Sequence, residues 1–139
     1  MRFLLLLPVV LIAACGSEPQ PPLVAHDVIV TRPVAGMKMS AAYLSLTNNS
    51  DETIRISRVN SAQYESVQLH ETTIENDVAR MRSIAFLEIA AGETVTLQPG
   101  GKHLMLMRPT GPADTVSLRF LDGDNLILTV DATFEPQTH

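Results

Sequence analysis

Gly100-Gly101-Lys102-His103-Leu104-Met105-Leu106-Met107 carries the clearest strand signal in this chain. Its residues alternate in character, and successive side chains of a strand leave on opposite faces. His103, Met105 and Met107 therefore share one side, and Leu104 and Leu106 the other. Imidazole beside thioether is unusual surface chemistry, suited to a soft, electron-rich ion such as Cu(I). Methionine is more often a core filler and a lone histidine more often a structural residue. Two donors are also too few for a tight site. His70 and Met81 are the candidates for the rest.

The same period-two pattern extends on both sides of this stretch. From His26 onward, short alternating runs are broken by turn residues every eight to twelve positions, which predicts an all-β sandwich or barrel. No segment holds a helical period over three turns. Expected strands are Val28 to Pro33, Tyr43 to Thr47, Thr53 to Val59, Tyr64 to His70 and Thr94 to Leu97, with a closing hairpin through Val116–Phe120 and Leu126–Val130. Val116, Leu118, Phe120, Leu126, Leu128 and Val130 are core candidates, as are Ile84, Phe86 and Ile89. Thr72–Glu75 and Val78–Met81 read as a tight hairpin about Asn76-Asp77, folding Met81 back toward the strand that ends in His70. Met37 and Met39 repeat the two-residue spacing of Met105 and Met107, but with no histidine nearby they read as loop packing. Glu71 is either an acceptor that fixes the His70 tautomer or a surface acid.

Spacing joins the donors. His70 is followed by ten residues and Met81, then by twenty-one residues and His103, then by one residue and Met105. This pattern resembles the motif of the PCu(A)C family of periplasmic copper chaperones at all four positions and all three gaps. Ala41 to Asn48, Leu69-His70-Glu71 and Pro99 to Met107 are similar to family segments too, so the resemblance runs from about Val28 to about Phe134. Thr72 departs from it, because many members carry methionine after the His-Glu pair. The resemblance implies a cupredoxin-like β-sandwich binding one Cu(I) per chain through His70, Met81, His103 and Met105. It also implies delivery of copper to respiratory oxidase assembly, notably the CuA centre of cytochrome c oxidase, with an oxidase subunit or a Sco-type thiol protein as partner.

The ends bound the location. An apolar run from Phe3 to Ala14 follows Arg2, too short to span a membrane and suited to a signal peptide over residues 1–14. Leu11-Ile12-Ala13-Ala14-Cys15 resembles a bacterial lipoprotein box, which would make Cys15 a lipidated first residue of the mature chain. The expectation is a periplasmic protein, anchored to the outer membrane because Gly16 follows the cysteine. Residues 15–25, with Pro19, Pro21 and Pro22, read as an extended tether, and 26–139 as one copper-binding domain. Cys15 is the only cysteine, so an internal disulfide and a blue-copper thiolate site are both disfavoured.

Ten Lys plus Arg stand against fifteen Asp plus Glu; without Arg2 the balance is nine against fifteen, a net charge of −6. That gives no basic face for nucleic acid. Gly100-Gly101-Lys102 is no phosphate loop, since no helix pattern follows it. Asp122 and Asp124 lack the further ligands of a calcium loop. No nucleophile elbow or His-Glu-x-x-His is present, so no enzymatic activity is expected; the carrier role is what the resemblance implies, and a monomer is expected. Two other readings stand beside it: a copper redox or electron-transfer protein, and a structural lipoprotein without metal.

Overall fold

Alternation in sequence becomes alternation in burial most cleanly in β2 (Met39–Asn48), where Ser40, Ala42, Leu44, Leu46 and Asn48 are buried and the residues between them are not. The computed structural model describes residues 18–33 and 35–135. The signal segment, Cys15, Gly16 and His139 lie outside the described residues.

β2 is the centre of a six-stranded antiparallel sheet. On one side it pairs β1 (Leu23–Val30). On the other its first half pairs β9 (Lys102–Pro109) and its second half β8 (Thr94–Leu97). β9 then pairs β5 (Tyr64–Glu75), and β5 pairs β6 (Val78–Ser83). Across the core lie a three-stranded sheet of β4 (Arg58–Asn60), β10 (Thr115–Asp122) and β11 (Asn125–Thr133), and a two-stranded one of β3 (Ile54–Ile56) and β7 (Leu87–Ile89). The result is an all-β, cupredoxin-like sandwich. Leu44, Leu46, Leu69, Leu104 and Leu106 from the large sheet meet Ile56, Ile89, Val116, Leu118 and Phe120 in one core. Each such side chain contributes about 1.5–3 kcal/mol when fully buried.

Several elements differ from the sequence expectation for nameable reasons. β1 begins at Leu23, inside the stretch read as tether, because Leu23 is itself core. The run Thr53–Val59 is broken at Ser57, and its halves join different sheets. Phe86 is exposed beneath the Arg55 guanidinium, 4.2 Å from the ring centroid, instead of joining the core. Leu126 is exposed because the β10–β11 register shifts between Phe120 and Leu121, one step before the hairpin ends. Asn48, the last residue of β2, is a buried amide: its Nδ2 donates to the carbonyls of Glu52 (2.7 Å) and Ile89 (2.9 Å), and its Oδ1 accepts from the Ser50 amide and hydroxyl.

Candidate metal centre

Leu69 of β5 and Leu104 of β9 are cross-strand partners pointing into the core, so their neighbours His70 and His103 must point out of it. His70 and His103 are partners in the same ladder, with ring centroids 5.8 Å apart and planes at 66°. The Tyr43 ring lies 6.4 Å from His103 on its other flank. Covered from both sides, His103 is only 4% exposed although it faces away from the core.

The turn before β9 sets the His103 ring. Pro99 and Gly100 occupy the corners of a turn in which the Gly101 amide donates to the Gln98 carbonyl (3.0 Å), with Gly100 at φ 79°. A positive φ at the third position is the type II requirement that glycine meets without strain. The Gly101 carbonyl then accepts twice, from the Thr72 amide (3.0 Å) and from His103 Nδ1 (3.1 Å). A proton on Nδ1 satisfies that carbonyl and leaves the lone pair on Nε2.

His70 has the opposite arrangement. Its Nε2 lies 3.0 Å from Gln68 Oε1, and a proton there leaves Nδ1 as the lone-pair atom. That Nδ1 is buried and has no hydrogen-bond partner. Burial, and secondarily the His103 imidazole beside it, lower the His70 pKa from 6.5 and favour the neutral, ligating form. The two rings thus present two unshared nitrogen lone pairs on one face, a donor pair that suits a borderline transition-metal ion such as copper.

The methionines complete the face. Met105 is opposite Gln68, and Met81 is opposite Thr72 on the β5–β6 hairpin, whose Asn76 and Asp77 both take positive φ as a type I′ turn demands. His70 is opposite His103 on one side and Ser83 on the other, so Met105 and Met81 are its diagonal neighbours, at about 7–8 Å between backbones. Three rotatable bonds let a thioether cross such a gap. His70, His103 and Met105 are contiguous; Met81, 53% exposed, flanks His70 from the opposite direction.

Glu71 is a surface acid. It alternates away from His70 and pairs with Lys102 Nζ at 3.0 Å. The side chain that touches the imidazole is Gln68, which the sequence reading left without a role, although its i, i+2 position on one strand face signals the contact. Met39 is no loop filler either: it opens β2 directly opposite Met107. Among the described residues no three His, Cys, Asp or Glu gather as a metal site.

Residues 23–133 match the family model described as "Putative lipoprotein LpqE-like". The chain belongs to the LpqE-like family. This LpqE-like chain is similar to "Putative lipoprotein Lxx21020" of Leifsonia xyli subsp. xyli (strain CTCB07), at 37% identity over an alignment of 95 residues, with 64% of this chain and 57% of that one covered. The chain therefore spans little more than half the length of this curated relative. Among solved structures, the copper-bound PCuAC domain from PmoF2 aligns with a TM-score of 0.68 at 20% identity, over 86% of this chain and 97% of that one, a likeness of fold. The CuI-DR1885 solution structure from Deinococcus radiodurans aligns at 31% identity and a TM-score of 0.63, over 88% of this chain and 83% of that one.

Proposed function

We propose that this LpqE-like chain is an extracytoplasmic copper chaperone that carries one Cu(I) as cargo on His70, His103, Met105 and Met81. The observation that carries the reading is the facing pair His70 and His103, each with an unshared nitrogen lone pair, beside Met105 on a face turned away from the core. Two thioethers favour the cuprous ion because soft sulfur matches a soft d¹⁰ cation. The likeness to a Cu(I)-loaded protein at 31% identity supports the same reading. Neutral donors suit a carrier, which must release its ion, and the chain acts as a carrier and not as an enzyme.

The recipient in this proposal is a copper-accepting respiratory oxidase subunit, the CuA subunit of cytochrome c oxidase, or a Sco-type protein on the way to it. The carrier is a monomer held at the membrane through lipid on Cys15, in the periplasm and at the outer membrane. The test is an anaerobic titration of Cu(I) against a chromogenic chelator, with X-ray absorption of the one-equivalent form. Nitrogen and sulfur in the copper shell are expected. A spectrum fitted without sulfur, or no retention of copper against the chelator, overturns the proposal.

A further inference from the structure

Methionine normally fills cores. Here Met37, Met39, Met81, Met105 and Met107 all stand outside the core cluster and outside the ring of partly buried residues packed against it. Three of them are adjacent on one face. Met107 is two residues along β9 from Met105, and Met39 is the cross-strand partner of Met107 in the β2–β9 ladder. Cross-strand partners share a face, with Cβ atoms about 4.5–5.5 Å apart. Ala41, the partner of Met105, is too small to screen Met39 from it. Met39 is 39% exposed, and Met37, two residues earlier, is 52% exposed. Met107 is half-buried and Met39 exposed, and two thioethers side by side on one face offer a soft donor pair.

We propose that Met39 and Met107 form a second, weaker site for a soft monovalent cation, next to the His70–His103 centre and open to solvent. It takes a d¹⁰ ion, Cu(I) or its surrogate Ag(I), through two sulfur donors, with Met37 next to it in the chain. Lacking imidazole, it holds the ion less tightly than the first site. Met105, a donor of the first site, is the next thioether along β9 from Met107, so a thioether path leads from the exposed start of β2 to the histidine pair. This rests on the reading of His70, His103, Met105 and Met81 as the primary centre only for the order of filling.

The test is a titration of the intact chain, labelled with [¹³C]methyl-methionine, with Ag(I) and with Cu(I) under argon. The first equivalent should shift the Met81 and Met105 methyls. The second should shift those of Met39 and Met107, with a dissociation constant at least about tenfold weaker. Met39→Leu with Met107→Leu should remove the second event and leave the first unchanged. If the Met39 and Met107 methyls stay still through two equivalents, or if the double variant keeps the second event, the second site is overturned. The same holds if both pairs of methyls move together in the first equivalent. A first equivalent that leaves Met81 and Met105 unmoved sinks the primary ligand set alone, because Met39 and Met107 report separately.

Discussion

His70 and His103 face each other across the β5–β9 ladder with oppositely placed protons, Nε2 of His70 against Gln68 and Nδ1 of His103 against the Gly101 carbonyl. Each ring is therefore turned by a different partner, one a side chain of its own strand and the other the carbonyl of a turn. Preset tautomers spare the incoming ion the cost of moving a proton.

Met105→Leu keeps volume and apolar character while deleting the sulfur, so its stability cost should stay under about 1.5 kcal/mol. Cu(I) affinity in chelator competition should fall at least about tenfold, the equivalent of 1.4 kcal/mol. Met107→Leu should leave the first equivalent unchanged. Equal losses from the two variants would show that the ligands are misassigned.

The His70 pKa is lowered from 6.5 by burial first and by His103 second. Between the folded value and 6.5 the unfolded chain binds more protons than the folded one, so stability falls as pH falls. The contribution is complete above about 6.5, is lost through that window and changes no further below it. Denaturant unfolding of the apo chain between pH 7.5 and 5 should show the loss, and His70→Gln should reduce the slope. Because the imidazole resists protonation, proton competition with copper at His70 should also begin only below 6.5. An identical slope in the variant would contradict the assignment.

Gly100→Ala introduces no clash, since nothing lies within 4 Å of the added Cβ. Its cost is conformational, about 1–2 kcal/mol for holding alanine at positive φ. Because the turn presents the Gly101 carbonyl to His103, relaxation of the turn should also weaken Cu(I) binding. Thermal unfolding and chelator competition on the same variant separate the two effects, and full copper affinity in a destabilised variant would show that the carbonyl is not what orients the ring.

Cys15→Ser should move the protein from the membrane to the soluble fraction if Cys15 carries lipid. Fractionation of cells expressing each form checks this. Equal membrane association of the two forms would count against the anchor.

By itself the sequence determined the β period, the face on which His103, Met105 and Met107 stand, and the hairpin about Asn76-Asp77. These are local properties: a pleat sends alternate residues to opposite sides whatever the strand later pairs with, and a type I′ turn is selected by the two residues at its tip. Only the tertiary structure decided register and strand order, which depend on partners distant in the chain. It set His70 opposite His103 and Met39 opposite Met107, relationships that no periodicity encodes. It also split Thr53–Val59 between two sheets and turned Leu126 outward through a register shift at Phe120. Alternation says that a residue faces one side or the other; whether that side is core, solvent or another donor is decided by what folds against it.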